Sequence, residues 1–330
     1  MQKHCYIERK NNSVVEERLF ADRLIKKIYS ENREKSSYIL NQATKKWVTD
    51  LLGFIKYDIP LPAFRINKII KELNVNLNEC IDSLSSFKTV RDIFERKIDF
   101  KNFRYMDNDY RAIVSPCDAK VLIGSLSETS IFYIKNKFFC FEELLQNENY
   151  EKIFNGGDFT IFRLTPDEYH YNHMPVSGIL EDIYQIDGLY HSCNPHVVNI
   201  IATPYSKNKR VITIINTDIE NGSKIGKIAM VEVAAMMIGE IAQCYSEENY
   251  DNPVIPTKGM FLKKGQPKSL YRPGSSTTIL LFEKDKIDLC EDLITNSKRA
   301  DVPSRYSLNL KDVKVETRVE VRSTIAYRRG

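Results

Sequence analysis

Apolar residues over the first 100 positions return at helical spacing, and beyond about Tyr110 they gather into short runs separated by turn residues. In VVEERLFADRLIKKIYS, Val15, Leu19, Leu24, Ile25 and Ile28 recur near the helical period while charges fill the other side. YILNQATKKWVTDLLGFIKYD and FRINKIIKELN carry the same mixture, with Lys or Arg beside Trp47, Phe54 and Phe64. The pattern predicts a layer of amphipathic helices over residues 1–105. Such stripes pack on the chain's own core, and basic residues with interfacial aromatics also suit a membrane surface. KNNSVVEER and SEENYDNP read as loops.

The later runs are β-branched and aromatic: AIVSPCDAKVLIGS, IFYIKNKFFCF, FTIFRL, HVVNIIATPY, RVITIINTDI and STTILLFEK. They predict a mainly β domain over residues 106–330. The expected fold class is therefore α+β, with N-terminal amphipathic helices packed on a mainly antiparallel, β-rich catalytic domain. The most apolar window, Ile225 to Ala242, is broken by Lys227, Glu232 and Glu240, which fits a buried strand or core helix better than a membrane span. The tail VKVETRVEVRSTIAYRRG alternates apolar with charged residues and reads as a final edge strand or a mobile end.

Composition narrows the class without naming a partner. Hydrophobic residues at 42% and charged residues at 28% describe a folded globular chain. A net charge of +4 is too weak for a nucleic-acid binder, so no nucleic acid is expected. The seven cysteines are scattered, without a CxxC pair or a secretory signal, and read as reduced thiols of a cytoplasmic protein. Any membrane contact is expected to be peripheral.

Three separated clusters carry candidate chemistry. IVSPCDAKV puts Asp118 after a Pro turn at the start of a strand-like segment, a position that alone suits a cap or an Asx-turn. LTPDEYHYNHMPVSG holds His170 and His173, two of five histidines, between Pro166 and Gly178. Imidazoles titrate near neutrality, where proton transfer is useful. YRPGSSTTILLF sets Ser275, Ser276, Thr277 and Thr278 between a Pro-Gly turn and an apolar run. An acid, an imidazole and a hydroxyl together suit a hydrolase or a self-processing enzyme. A zinc-binding protein is the alternative, since His170-x-x-His173 and Cys193-x-x-His196 have ligand types and spacings that zinc accepts.

The same motifs resemble those of the phosphatidylserine decarboxylase proenzymes. SFKTVRDIFERKI is similar to that family's segment ahead of the β domain, and SPCDAKV to its Ser-Pro-x-Asp-Gly-x-Val. EYHYNHMPVSG resembles Asp-Tyr-His-x-x-His-x-Pro-x-x-Gly, SCNP resembles Ser-Val-Asn-Pro, and GSSTTILLF resembles the Gly-Gly-Ser-Thr or Leu-Gly-Ser-Thr processing motif. The chain departs from the pattern at Ala119, at Ala234 or Ala235, and in KKGQPKSLYRPGSS, which lacks the usual acidic residue and Gly.

The resemblance implies that Asp118 and His173 activate a processing serine, and that His170 contacts substrate or helps proton transfer. The serine becomes a covalent pyruvoyl group, the family's only cofactor. Counting back from LLF makes that serine Ser276, with cleavage after Ser275, whereas matching Gly-Ser-Ser makes it Ser275, with cleavage after Gly274; the ungapped register is preferred because a one-residue slip reverses which side chains face the core. The products would be a long β chain and a short α chain held together by shared strands. The implied reaction converts phosphatidylserine to phosphatidylethanolamine and carbon dioxide through a Schiff base, at an anionic membrane surface. A soluble amino acid is the alternative substrate, and association into a homo-oligomer is left open.

Overall fold

STTILLF is apolar without alternation because the strand it forms is covered on both faces, as a fully buried strand must be. A computed structural model describes residues 3–19, 44–126, 138–201, 203–235, 240–273, 276–309 and 313–330. In chain order its strands are β1 (Cys5–Glu8), β2 (Ser13–Glu16), β3 (Ala112–Val114), β4 (Ala119–Ser125), β5 (Asp158–Leu164), β6 (Tyr171–His173), β7 (Gly178–Ile186) and β8 (Arg210–Asn216). They continue as β9 (Lys227–Val233), β10 (Ile241–Gln243), β11 (Phe261–Leu262), β12 (Pro267–Tyr271), β13 (Ser276–Phe282), β14 (Ile287–Leu289), β15 (Thr317–Val319) and β16 (Thr324–Arg328).

A ten-stranded sheet runs β11-β7-β8-β9-β13-β5-β4-β15-β1-β2. Every pairing in it is antiparallel except β1 with β15. Two three-stranded sheets, β10-β12-β6 and β14-β16-β3, accompany it. Ile279 lies across from Ile161 and Val231 and packs in one core, with Phe138, Phe139, Leu144 and Phe154. Leu280 and Phe282 point the other way, into a second core shared with Met174, just past β6, and with Tyr271 and Ile325 of the small sheets.

Helices α1 (Lys46–Gly53) and α2 (Ala63–Glu72), joined through a π-turn at Phe54–Asp58, and α3 (Val90–Phe94) build the N-terminal layer. They enclose a core of their own around Tyr57, Ile66, Ile70 and Phe94. A capping box between Thr89 and Asp92 starts α3. The short α4 (Phe100–Phe103) follows, then α5 (Phe141–Leu145), α6 (Glu148–Phe154), α7 (Pro195–Ile200), α8 (Pro204–Lys207) and α9 (Glu291–Ser297). The fold is α+β and dominated by antiparallel pairing, as the sequence pattern predicts.

Three local expectations need correction. Val15 belongs to strand β2, not to a helix or loop: residues 5–16 form a hairpin that turns at Asn12, whose φ of 56° suits Asn. Leu19 of that predicted stripe follows β2 outside any helix, and Leu24, Ile25 and Ile28 lie outside the described residues, as does most of IFYIKNKFFCF, whose last residue opens α5. HVVNII is helical because Asn194 accepts from the His196 amide and Pro195 occupies the first turn, which overrides its β-branched composition. The tail is neither an edge nor loose: β15 lies between β4 and β1, and β16 between β14 and β3. Among its charged residues, Arg318 is bound by Glu168 and Glu8, and Glu316 by His4 and Arg163, so alternation here does not mean a half-solvated strand.

Candidate active site

Ser276 opens β13 opposite Leu164 of β5, with no exposed surface. Among the described residues its hydroxyl has no hydrogen-bond partner. A buried polar group without a partner costs about 1–3 kcal/mol, so the fold holds this hydroxyl at a cost. Ser275, the alternative nucleophile, and Gly274 lie outside the described residues. Alternation puts Thr278 on the same face as Ser276, and the Thr278 hydroxyl donates to Asn172 Oδ1 of β6 at 2.8 Å. Thr277 faces the other side and donates to Cys193 Sγ at 3.1 Å. Burial pushes that thiol up to about 11, so it stays neutral.

His173 follows Asn172 in β6. Its amide donates to Pro116 O at 2.6 Å, which ties it to the turn carrying Asp118. Nδ1 faces the carbonyl of Gly265 at 2.9 Å and must carry the proton, because a carbonyl only accepts. Nε2 therefore accepts from the Tyr169 hydroxyl at 2.9 Å, and Tyr169 lies 2.6 Å from the hydroxyl of Tyr250. Phe100 packs edge-on against the imidazole, with centroids 4.7 Å apart. Burial pulls the His173 pKa down to about 3; the Gly265 carbonyl and the charge of Asp118 oppose this in part. The ring is neutral throughout the physiological range.

Asp118 is not hydrogen-bonded to His173. Arg104 donates to its two oxygens at 3.2 and 2.8 Å, and the Val321 amide donates at 2.7 Å. Arg104 also binds Glu79 at 2.8 Å. Burial alone lowers the Arg104 pKa, but Asp118 and Glu79 outweigh it and hold the guanidinium well above its usual range. His170 is fully buried, with Nδ1 2.8 Å from Glu168 O and its ring against Phe94 of α3 at 4.7 Å.

Composition flags Glu232 only as a charge in an apolar run, yet it anchors a buried polar network. It lies opposite Thr278 in the β9–β13 register and is bound by Lys268, Ser269 and Gln243. Asn172 joins it to Thr278. Burial lowers the Lys268 pKa against the pull of Glu232. Sequence reasoning also missed Tyr169, Tyr250, Arg104 and Glu79, which come from segments far apart in the chain. The proposed zinc ligands are not brought together: His173 is engaged at both nitrogens and Cys193 by Thr277. Among the described residues the group with metal-ligand spacing is instead His4, Glu17 and Glu316, and Arg163 already binds both carboxylates.

These shifts set an acid limit. His173 drops to about 3 and His191 to about 4 in the fold, both chiefly by burial. Between those values and about 6.5 the unfolded chain binds more protons than the native one, so stability rises with pH through that window and levels off above it. Urea midpoints should fall by at least about 1 M between pH 7.5 and pH 5, given a limiting slope of about 1.4 kcal/mol per pH unit for each histidine. Equal midpoints would contradict the buried neutral assignments.

The profile of the phosphatidylserine decarboxylase family matches residues 90–306. A protein named phosphatidylserine decarboxylase proenzyme from Fusobacterium nucleatum is 30% identical over 299 residues, covering 90% of this chain and 93% of that protein. One of the same name from Clostridium tetani is 29% identical over 88% of this chain and 92% of its own length. Another from Clostridium botulinum is 32% identical over 77% of this chain and 80% of its own length.

Proposed function

The chain belongs to the phosphatidylserine decarboxylase family, a family of carboxy-lyases made as proenzymes, and on that premise we propose that it cuts itself next to Ser276 and decarboxylates phosphatidylserine to phosphatidylethanolamine. The observation that carries the reading is the Ser276 hydroxyl, buried, without a hydrogen-bond partner among the described residues, and at the head of a strand packed on both faces. Such an orphaned hydroxyl fits a residue whose chemistry is spent on its own backbone. In this reading the helices from Lys46 onward form the N-terminal layer, the β1–β2 hairpin ahead of them joins the large sheet, and residues 106–330 form the decarboxylase domain, cut into a β chain and an α chain.

Processing begins with attack of the Ser276 oxygen on the carbonyl of Ser275, which moves the acyl group from nitrogen to oxygen. Loss of the serine α-proton then expels the ester carboxylate, and hydrolysis releases ammonia. His173 is the proton acceptor: it is neutral, and the Gly265 carbonyl fixes its tautomer. Its Nε2 is covered by Tyr169, so that hydroxyl must either turn aside or pass the proton on. Asp118, held by Arg104 and the Val321 amide, supplies the charge that partly offsets burial of the imidazole. When formed at Ser276, a pyruvoyl group supplies a ketone that takes up electrons as carbon dioxide leaves. His170, against Phe94 of the helical layer, is the residue proposed to act on the substrate side. Mass spectrometry of the purified protein tests the scheme: a new chain starting at position 276 supports it, and a chain starting at 275 would move the chemistry to Ser275.

A lipid substrate fits the surface of the helical layer. Trp47, Phe54, Ile55 and Phe64 are exposed at 61%, 57%, 54% and 69% on α1, the π-turn and α2, among Lys56, Arg65, Lys68 and Lys71. Exposed apolar side chains amid cations suit an anionic bilayer surface. Beside α2 a cavity of about 610 Å³ is lined by Leu61, Ile66, Leu84 and Phe87. No helix among the described residues is long and apolar enough to cross a membrane. Replacing Trp47, Phe54 and Phe64 together by Ala should weaken flotation with phosphatidylserine vesicles at least about tenfold, since each buried aromatic contributes roughly 1–3 kcal/mol. Unchanged flotation would remove this face from the membrane contact.

A further inference from the structure

Among the described residues the β1–β2 hairpin pairs with the rest of the large sheet only through β15. Cys5 and Ile7 are buried with Val302 and Val315 in one apolar cluster. The Ile7 amide donates to Glu316 O at 2.9 Å, and the Cys5 amide to Pro303 O at 2.8 Å. His4 also reaches this segment: Nε2 lies 3.0 Å from Glu316 Oε2, while Nδ1 accepts the Arg305 amide at 3.1 Å. At the turn, Arg9 pairs with Asp292 at 2.6 Å and Lys10 with Glu320 at 2.7 Å. All of these partners lie beyond residue 276. Outside the hairpin, residues before 276 meet it at Arg163, which binds Glu17 and lies 3.5 Å from His4 Nε2, and at Lys120, which lies over the Tyr6 ring.

While the chain is intact these are ordinary tertiary contacts. A cut beside Ser276 puts the hairpin on one polypeptide and nearly all its partners on the other. We infer that the β1–β2 hairpin is a clasp whose partner is the α chain, residues 276–330, and that it keeps that chain seated after cleavage. The inference rests on the processing proposed above.

The topology explains why a clasp is needed. Cleavage frees the N-terminal end of β13, and β15 has only three residues with which to hold on to β4. Without β1, β15 becomes a sheet edge with Val315 uncovered, and short edge strands open first. With β1 in place it is an interior strand, paired on both sides, and Glu316 is locked between His4 and Arg163. The clasp thus resists fraying at β15, which lies in the chain between β13 and the terminal β16 that β3 holds in a separate sheet.

The test uses Ile7→Asp, which puts a charge into the cluster with Val302 and Val315, in two backgrounds. One is the cleavable chain; the other carries Ser275→Ala and Ser276→Ala and stays uncut. After cleavage, gel filtration at high dilution should find the small chain released about 100-fold more readily from Ile7→Asp than from the unsubstituted protein, the fold-change set by an unpaired buried charge. The uncut version should keep a cooperative melt and elute as one species, because a covalent link prevents loss of the segment. Lys10→Ala removes an exposed ammonium from its pair with Glu320 and should change release by less than about fivefold. Retention of the small chain by cut Ile7→Asp at the unsubstituted level would overturn the clasp. Unfolding of uncut Ile7→Asp would overturn it too, making the hairpin a general folding element. An unsubstituted protein that never cleaves would instead sink the processing reading.

Discussion

Ser276→Ala is expected to leave a single uncut polypeptide of 38.3 kDa, with decarboxylase activity lost to background. The methyl group fits where the hydroxyl sits, because that hydroxyl makes no hydrogen bond among the described residues. The substitution therefore relieves a polar group that burial penalises, and the uncut chain should be at least as stable as the unsubstituted one, by up to about 1 kcal/mol. Loss of function with gain of stability marks a group retained for chemistry, as stability and activity trade against each other at such positions. Ser275→Ala should still cut. The opposite pair of results, a cut Ser276→Ala and an uncut Ser275→Ala, would place the nucleophile one residue earlier.

Lys268→Met should be the most damaging single substitution for stability at the site. Lys268 and Glu232 are both fully buried, and they bind each other. Removing the cation leaves a carboxylate with only Ser269, Gln243 and Asn172 to satisfy it. Breaking such a pair from one side costs about 3–5 kcal/mol, more than the pair itself contributes. Adding Glu232→Gln removes the stranded charge and should restore a large part of the loss, with a coupling of roughly 2 kcal/mol in a double-mutant cycle. The network continues through Asn172 to Thr278, two positions along the strand from Ser276. Slower processing in Lys268→Met and its recovery in the double variant would follow from that connection. Additive effects of the two substitutions in urea unfolding would show that the pair is not coupled.

What the sequence made legible is what local pattern decides. β4, β5, β8, β9 and β13 coincide with apolar runs because both faces of the large sheet are covered, so those strands carry little polar alternation. Asp118, His173 and Ser276 stand out because each sits at a turn or strand end next to its own motif. The hairpin was obscured because Val15 and Leu19 fit helical spacing as well as they fit a strand followed by a loop, and nothing local reports β15 as the partner. The helix at HVVNII was hidden by composition, since two residues, Asn194 and Pro195, outweigh four β-branched ones. The tail misled for an electrostatic reason: Arg318 and Glu316 look like solvent residues and are instead half-buried or buried with counter-charges from segments distant in sequence. The surroundings of His173 and Asp118 lie beyond sequence for the same reason. Tyr250, Arg104, Glu79 and Gly265 come from four separate segments, and only the fold brings them to the two groups.

The measurement closest to the central claim is the intact mass of the purified protein, taken before and after treatment with hydroxylamine. Two chains are expected, the smaller beginning with a blocked, ketone-bearing residue at 276 followed by Thr277, and that chain alone should gain the mass of an oxime. One full-length chain that takes up no hydroxylamine would contradict the account.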